Sequence, residues 1–448
     1  VGSRDKHARG SRPSSSASDL QRRCLDGILR RVRSVGEPPP ELTEREAFGA
    51  LLAAKGLYCL EPQNLATYDV NKLRVAKGDV HPKRAIGLLP SKEAAYIRRH
   101  DLFIEKPAAA VLALEAGDSL PQPYWDAVLS ADSSKRRQFL LLLLRLNILG
   151  PHLQIKQVVG VFFVKKKDGH IRMVVDCRRT NRCHQPPPKT KLGGALGLRE
   201  LDLSGLSDMC GGLSAEALEE RGPGAGESDV RDAFYQFAVP ELGSWFCIDE
   251  TFLAGELNVD RAWDDSVGAA VPVGPSTRVA LGFDAMCMGW SWALHFCQSS
   301  VSDAASECPG GPGQLLVDKC VAPKISRGVS VQSVYVDNFT TIGCQRSDVF
   351  RSGRAFAAAC DARGLNTHAD TPYARSLETV GIVIDMRDRV VRHKSLRLWR
   401  FVLGTRYMLK MAAIHYEWLG VWLGHACCVA ALAPGILSVC EATYKLAT

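Results

Sequence analysis

The stretch SVYVDNFT, residues 333–340, decides how the rest of the chain is interpreted. Large apolar and small or polar residues alternate around Asp337 and Asn338. Two β-compatible runs around a two-residue Asp-Asn turn predict a tight hairpin, because Asx residues tolerate the left-handed backbone of such turns. A carboxylate at a hairpin tip is held rigidly away from the sheet. That placement suits a metal ligand and an ordinary turn equally well, and the stretch alone favours the ordinary turn.

Length and composition describe a globular protein with room for two or three hydrophobic cores. The chain has 448 residues, of which 46% are hydrophobic and 23% are charged. Lys and Arg exceed Asp and Glu by 8 (56 − 48), an excess that suits a polyanionic partner without requiring one. The 15 cysteines form no CxxC pair, so we expect reduced thiols and a cytoplasmic or nuclear protein. The chain begins with Val1 rather than Met, which is typical of a fragment.

One segment near the C-terminus has the length of a membrane span. The 23 residues from Trp418 to Cys440 include no Asp, Glu, Lys or Arg. Gly420, Gly424 and the Pro434-Gly435 pair predict that the segment breaks into two shorter helices. We therefore expect two packed helices of a terminal subdomain, and no membrane partner.

The first third of the chain shows no evident chemistry. Residues 1–40 are rich in Ser and Arg and predict a disordered basic tail, which is either a solvated tail or an arm that attracts nucleic acid. Residues 41–134 carry periodic apolar side chains between Pro breaks and predict a helical extension. The apolar run at 139–144 predicts a buried helix that stops at Gly150-Pro151.

The composition then changes to β-branched and aromatic residues. The runs VVGVFFV (158–164) and IRMVVD (171–176) flank Asp168-Gly169, a strong hairpin signal. A triplet of lysines, residues 165–167, is therefore predicted at the hairpin tip, with Arg172 in the returning strand. Such a cluster either binds a phosphate group or is a solvated charged turn.

Further along, a second aspartate ends an extended segment. The run GPGAG (222–226) predicts a break, and SDVRDAFYQFAV (228–239) begins as a strand that turns helical or tightly looped after Asp229. Asp229 can therefore project from a sheet edge, as Asp337 can. In MCMGWSWALHFCQ (286–298), Gly289 precedes a predicted helix.

Together these pieces resemble the reverse transcriptases, the RNA-directed DNA polymerases of retroelements. FFVKKKDGHIRMVVDCRRTN resembles their fingers hairpin, SDVRDAFYQFAV the first catalytic palm motif, and MCMGWSWALHFCQ the glycine-containing motif that contacts template and substrate. YVDN resembles the palm hairpin usually written Tyr-x-Asp-Asp, and residues 364–366 and 379–384 resemble two later palm motifs. The motifs stand in the family's order and cover roughly residues 135 to 395.

The resemblance implies an α+β, right-hand polymerase fold. Fingers are expected at 135–228, followed by a palm at 229–395 with an antiparallel sheet, helices and a ferredoxin-like core. A fingers insertion is expected at about 245–285, and a helical thumb-like segment at 396–448. After Val391, basic and apolar residues interleave, which predicts a helix with one cationic face that tracks duplex phosphates. The basic residues are Arg392, His393, Lys394, Arg397 and Arg400.

The resemblance also implies addition of deoxynucleotides to a primer 3′-end, on an RNA or DNA template, by two-metal catalysis. The implied partners are an RNA template, a DNA primer or hybrid duplex, and deoxynucleoside triphosphates. Two Mg²⁺ ions, or Mn²⁺, would be held by Asp229, the Val230 carbonyl and Asp337. The positions matching catalytic residues are Asp229, Asp337 and Asn338. The positions matching substrate-binding residues are Lys165, Lys166, Arg172, Val230, Ala233, Phe234, Gln236 and Gly289. Phe234 matches the aromatic residue that blocks a ribose 2′-hydroxyl.

Departures from the family pattern keep alternatives open. Asn338 stands where the family has a second carboxylate, so the site loses a negative charge and metal affinity is expected to fall. The first hypothesis is an active reverse transcriptase, and the second is a decayed or repurposed copy that only binds nucleic acid. A third, an RNA-dependent RNA polymerase, is disfavoured by Phe234. His368 lies near where the family has a lysine, and is either a general acid or a surface histidine.

Overall fold

The computed structural model describes residues 35–53, 65–77, 81–117, 120–166, 168–203, 206 and 212–433. Most of the predicted basic tail, Lys167 and the Pro434-Gly435 pair lie outside these ranges. Within them the chain combines helices with mostly antiparallel strands, which confirms the predicted α+β class.

The helices, numbered in chain order, are α1 (Glu44–Ala53), α2 (Ala85–Leu88), α3 (Ser91–Arg98), α4 (His100–Phe103), α5 (Ala108–Ala116), α6 (Ala127–Ala131), α7 (Ser133–Arg145), α8 (Arg178–Cys183), α9 (Ala195–Leu198), α10 (Ala215–Arg221), α11 (Ala254–Leu257), α12 (Ala293–Ala305), α13 (Arg346–Ala362), α14 (Ser395–Leu409) and α15 (Tyr416–Ala430). The strands are β1 (Leu65–Ala66), β2 (Lys83–Arg84), β3 (Leu149–His152), β4 (Gly160–Lys165), β5 (Ile171–Asp176), β6 (Gly224–Val230), β7 (Phe237–Ala238), β8 (Cys247–Leu253), β9 (Arg261–Asp264), β10 (Ala269–Pro272), β11 (Arg278–Phe283), β12 (Leu315–Leu316), β13 (Val331–Tyr335), β14 (Asn338–Gly343), β15 (Thr367–Ala374), β16 (Ser376–Thr379), β17 (Ile382–Asp385) and β18 (Val390–His393). Short 3-10 turns lie at Arg74–Lys77, Ala233–Gln236, Pro240–Phe246 and Gly311–Gln314.

A five-stranded sheet with the order β12-β13-β14-β6-β15 positions the candidate site. β12 runs parallel to β13, and the other neighbours are antiparallel. β13 and β14 form the hairpin predicted from residues 333–340, and β6 pairs with β14 on one side and β15 on the other. The carboxyl end of β6 and the β13–β14 turn therefore meet at the same end of the sheet.

The two faces of β6 meet different surroundings. Gly226 faces helix α13, since a Cβ placed on it would lie 2.9 Å from the Val349 side chain. Ala225 lies on the opposite face and belongs to a buried apolar cluster that includes residues of β16 and β17. Further along that second face, Glu227 and Asp229 are only half-buried. The polar end of β6 therefore lies opposite the face that the helix covers.

The predicted break at GPGAG (222–226) is wrong, because Gly224 to Gly226 form the start of β6. A Cβ on Gly224 would lie 2.2 Å from the Tyr373 ring, and one on Gly226 would lie 2.7 Å from the Pro372 carbonyl oxygen. These glycines therefore permit close approach of β15 and do not make a turn.

Helices α12 and α13 cover the back of this sheet. The ring of Phe339 in β14 stacks on that of Phe356 in α13, with centroids 4.0 Å apart and planes 6° apart. Both rings are fully buried. This aromatic pair fixes the hairpin strand against the helix layer.

The hairpin predicted around Asp168-Gly169 forms, and β4 and β5 are called the fingers-like hairpin below after the resemblance that predicted them. β4 and β5 pair from Gly160–Asp176 to Lys165–Ile171, and Gly169 provides the left-handed residue of the turn with φ 82°. Leu65 and Ala66 in β1 extend this sheet along β4. Part of the N-terminal extension thus packs against the hairpin and shares its core.

Two further features concern the end of β5 and the cysteines. Arg178 donates from Nε and Nη2 to the Asp176 carboxylate, at 2.7 Å in each case, and holds the end of β5. None of the eleven cysteines in the described ranges forms a disulfide.

A second five-stranded sheet, ordered β10-β9-β3-β11-β8, contains the region predicted as an insertion. The predicted helix end at Gly150-Pro151 is wrong, because α7 ends at Arg145 and Asn147 adopts the left-handed conformation with φ 55°. Gly150 instead lies in β3, where a Cβ would stand 2.0 Å from the Asp284 carboxylate. A side chain at this position would displace that carboxylate.

The predicted cationic helix face is only partly correct. Arg392 and His393 lie in β18, and α14 begins after them at Ser395. The Arg392 guanidinium is 3.7 Å from Asp385, and the His393 ring is 3.0 Å from the Val429 carbonyl oxygen. Contacts with β17 and α15 therefore hold these two side chains.

The C-terminal helices pack with α1. Phe48 contacts the rings of Tyr407 and Trp418, with centroids 5.4 and 5.6 Å away. α15 runs without interruption through Gly420 and Gly424, so the predicted break at these glycines is wrong. Each glycine costs a helix only about 1 kcal/mol, and the packing of buried Leu423 and Ala426 offsets that cost. Among the helices of the described ranges, none has both the length and the apolar character that crossing a membrane requires.

Gly289 makes a tight turn between the fingers-like hairpin and α12. Its φ is 129°, and a Cβ would lie 2.2 Å from the Val175 carbonyl oxygen in β5. The Val175 N–H donates to the Met288 carbonyl at 3.0 Å, and the Asn181 side-chain amide donates to the Gly289 carbonyl at 2.8 Å. Only glycine fits both this backbone angle and this distance.

Gly289→Ala is therefore expected to destabilise the protein, by about 1–3 kcal/mol from backbone strain alone. Gly353→Ala is the matched control, because Gly353 lies within α13 and a Cβ there meets nothing within 4 Å. The control should stabilise by about 0.5–1 kcal/mol. Urea unfolding of both variants measures the difference. Equal stability of the two variants would contradict the described turn.

Candidate active site

Asp229 lies in β6 between two polar neighbours. Asn338 of β14 stands directly opposite it on one side, and His368 of β15 on the other. Directly opposed residues of antiparallel strands point to the same face. The three side chains therefore form a row across the sheet.

Burial and neighbouring charge disfavour the ionised form of Asp229. Desolvation is the largest cause, and the carboxylates of Asp370 and Asp337 add to it, so that the pKa of Asp229 rises to about 6. A bound cation would relieve this repulsion. This carboxylate is thus the best candidate for a metal ligand in the described chain.

The turn that carries Asp337 differs from the predicted one. Tyr335 pairs with Asn338, so the two loop residues are Val336 and Asp337, and Asn338 belongs to β14. The left-handed residue is Val336, with φ 62°, where the prediction placed an Asx residue. A β-branched residue is strained there. The Gln298 side chain holds the strained turn by accepting a hydrogen bond from the Val336 N–H at 2.6 Å.

Asp337 is joined directly to the end of β6. The Val230 N–H donates to the Asp337 carbonyl oxygen at 2.9 Å. In an extended residue the N–H and C=O point to the same neighbour. The Val230 carbonyl is therefore directed toward the Asp337 turn, where it can serve as the third oxygen predicted for the metal site.

Positive charge from the fingers-like hairpin faces Asp337. Burial raises the pKa of Asp337, while Arg172 and Lys166 oppose that rise and Asp232 adds to it. Burial, together with Arg74 and Arg172, lowers the pKa of Lys166. The structure thus brings together Arg172, Lys166 and Asp337, all three predicted from the sequence.

Arg74 belongs to the same cluster and was not predicted. Its guanidinium is 3.5 Å from the Asp232 carboxylate and 3.8 Å from that of Asp168. No motif marks Arg74, which lies in an isolated turn 92 residues (166 − 74) before Lys166. Lys165 does not join the cluster, because it pairs with Ile171 and so lies on the hairpin face opposite to Arg172.

Asn338 is occupied by neighbouring side chains. Its amide nitrogen donates to Glu227 Oε1 at 2.6 Å, and its oxygen accepts from the hydroxyls of Thr340 and Thr379 at 3.2 and 3.5 Å. The oxygen that the sequence offered as a weak ligand is thus held by the sheet.

Ala233, Phe234 and Gln236, three of the positions matching substrate-binding residues, lie in different surroundings. Phe234 is half-buried in the 3-10 turn after β6, whereas Ala233 and Gln236 are each 1% exposed. The Gln236 side chain accepts from the Asn366 N–H at 2.7 Å and donates to the Asn366 carbonyl at 3.1 Å. Gln236 therefore joins the turn to the start of β15. Gly289 is exposed, and its close approach is to Val175 of β5.

Two further residues complete a possible ligand set at Asp229. Ligand atoms of Asp229, His368 and Asp370 all lie within 4.8 Å of one another. His368 was predicted only as a general acid or a surface residue, and Asp370 was missed. The His-x-Asp spacing after Gly-Leu-Asn was the signal available in the sequence.

A cavity of about 620 Å³ lies elsewhere, at the start of α13. It is lined by Glu220, Arg221, Gln345, Arg346, Ser347, Phe350, Arg351 and Arg354. None of the predicted site residues contributes to it.

Comparisons with known proteins find similar structures but no sequence relatives. No protein-family model matches the chain, and no curated protein matches it. Among solved structures, the chain is similar to the foamy viral protease–reverse transcriptase dRH in complex with double-stranded DNA, at 13% identity over 87% of this chain, with a TM-score of 0.45. It is also similar to the prototype foamy virus protease–reverse transcriptase in its native form (13% identity, 83% of this chain, TM-score 0.37) and as a selenomethionine-labelled CSH mutant (11%, 82%, 0.37).

The chain spans only part of each of these proteins, namely 57%, 44% and 35% of their lengths in the same order.

The raised pKa of Asp229 predicts a pH-dependent stability. The folded-state pKa of about 6 lies above the ordinary value of 3.8. The stability is therefore fully present below about pH 4 and is lost as the pH rises through 6. Asp229→Asn removes the ionisation and is expected to stabilise the metal-free protein at pH 7 by on the order of 1–3 kcal/mol, with little gain at pH 4.

Denaturant unfolding in a chelator from pH 4 to 7 measures this difference. Asp361→Asn, at an exposed position of α13, is the control and should follow the wild type at every pH. A constant offset between Asp229→Asn and wild type over the whole range would show that Asp229 ionises normally.

Proposed function

We propose that the chain is a reverse transcriptase-like nucleotidyltransferase of retroelement type. It would add deoxynucleotides to a primer 3′-end on an RNA or DNA template. The observation that carries the proposal is the meeting of Asp229 and Asp337 at one sheet end, opposite Lys166 and Arg172. Phosphoryl transfer requires little covalent chemistry and much charge neutralisation, which this pairing of acids and bases can supply.

The metal requirement follows from the acidic half of the site. Two Mg²⁺ ions, or Mn²⁺, would when bound activate the primer hydroxyl and stabilise the departing pyrophosphate. Asp229, Asp337 and the Val230 carbonyl would hold them, since hard cations prefer oxygen ligands. The raised pKa values of both carboxylates support this fit, because burial disfavours the ionised form of each and a bound cation would favour it again.

The basic half of the site would bind the triphosphate. Arg172 and Lys166 approach Asp337 from the hairpin, and Arg74 stands beside them. Their charges would orient the nucleotide and offset the negative charge that develops on its phosphates. The ion pairs of Arg74 are longer than a hydrogen bond, so its donors remain available for a phosphate oxygen.

Phe234 would select the sugar. It follows β6 within a short 3-10 turn whose other members are buried, so the half-buried ring is held at a fixed place just after the strand that carries Asp229. A rigid ring at this place would exclude a ribose 2′-hydroxyl and admit deoxyribose. This selection disfavours the RNA-dependent RNA polymerase alternative.

The second candidate is a repurposed copy that binds an RNA template and a DNA primer without extending the primer. The observation favouring it is Asn338, whose amide is held by Glu227 and contributes no charge to the site. Both candidates act on nucleic acid inside the cell, in the cytoplasm or nucleus.

Primer extension on an RNA template distinguishes the two. The wild type is expected to incorporate deoxynucleotides in the presence of Mg²⁺, and Asp337→Asn to reduce the rate by at least about 100-fold. Asp361→Asn should leave the rate unchanged. The nucleotidyltransferase proposal fails if the wild type is inactive while Asn338→Asp extends the primer.

Sugar selection is tested by competing ribonucleotides with deoxynucleotides. Phe234→Ala is expected to reduce the preference for deoxynucleotides by at least about tenfold, because it removes the ring. Phe234→Tyr keeps the bulk and should keep the preference. Unchanged selection by Phe234→Ala would assign the residue to packing alone.

A further inference from the structure

Asp229 has neighbours of opposite character on its two sides. On the β14 side Asn338 is neutral, and its polar atoms are engaged by Glu227, Thr340 and Thr379. On the β15 side His368 stands directly opposite Asp229, and Asp370 follows two residues later. The charge missing from β14 is thus present on the other neighbouring strand.

A β-bulge brings Asp370 toward Asp229. The register of β15 against β6 shifts after His368. Thr371 pairs with Glu227, where regular pairing would place Asp370. Two residues of β15, Ala369 and Asp370, therefore stand opposite the single residue Ser228 of β6. Bulges of this kind redirect side chains and occur beside active sites. Here a carboxylate oxygen of Asp370 comes within 4.8 Å of one of Asp229.

The imidazole of His368 has the arrangement of a metal ligand. Its Nδ1 lies 2.6 Å from Asp370 Oδ1, and 47% of the side chain is exposed. A carboxylate that accepts from one ring nitrogen fixes the tautomer and leaves the lone pair of the other nitrogen available. Asp370 can therefore act either as a ligand or as the group that orients the ring.

We propose that Asp229, His368 and Asp370 form a divalent-metal site with mixed nitrogen and oxygen donors, which binds Mn²⁺ in preference to Mg²⁺. The proposal deepens the proposed function, because Asp229 belongs to both sites and its two oxygens can serve two ions. Mg²⁺ prefers an all-oxygen environment, whereas an imidazole nitrogen suits first-row transition ions. This ion would thus lie on the β15 side of Asp229, away from Asn338.

Binding is measured on the metal-free full chain without nucleic acid or nucleotide. A Mn²⁺ titration followed by electron paramagnetic resonance gives the affinity, and electron spin echo modulation detects a nitrogen bound to Mn²⁺. We expect the nitrogen signal in the wild type and in the control His81→Ala, which alters an exposed histidine. His368→Ala should lose the signal and weaken Mn²⁺ binding about 10–100-fold.

Asp370→Asn, which keeps the shape of the side chain, should weaken Mn²⁺ binding at least about tenfold. The site is overturned if the wild type gives no nitrogen signal, or if His368→Ala retains it. Failure of primer extension leaves this result unaffected, because the titration contains no substrate. A wild-type protein that gives no nitrogen signal but still extends a primer with Mg²⁺ would reject this site and keep the proposed function.

Discussion

The pairing of β6 with β14 is the constraint on which the candidate site depends. It places Asp229 opposite Asn338 and lets the Val230 N–H reach the carbonyl of Asp337. A shift of one residue would turn the alternate side chains of β6 toward the helices. The Phe339–Phe356 stack fixes β14 against the helices, and the glycines of β6 allow β15 to pack closely beside it. These contacts hold the register. Packing of the apolar face therefore fixes the chemistry of the polar one.

The same arrangement lowers the stability of the fold at the place where it forms the candidate site. Asp229, Asp337 and Asp370 lie close enough for their charges to interact unfavourably, and two of them are partly removed from water. The turn beside them holds Val336 at a backbone angle that β-branched residues avoid. The surrounding structure holds the strained turn and the neighbouring carboxylates in place. Both features are typical of sites that bind a cation.

Sequence patterns located the elements better than their details. The Asp168-Gly169 signal gave the fingers-like hairpin correctly, because its turn is decided by local residues. The turn at Asp337 was displaced by one residue, since a tertiary contact with Gln298 stabilises the left-handed Val336. Glycines 224 and 226 were interpreted as a break, because the ring and backbone that require them lie some 150 residues away (373 − 224 = 149). Arg74 had no motif, so only the fold could bring it to the site.

Helix α12 and the turn before it contact both the fingers-like hairpin and the turn that carries Asp337. At its start, the Gly289 turn is hydrogen-bonded to the fingers-like strand β5 and to Asn181. In its middle, Gln298 holds the backbone of Val336 in the palm-like turn. A helix is stiff over this length, so the two contacts are expected to move together. A displacement of the hairpin would therefore reach the turn that carries Asp337 through the Gly289 turn and α12.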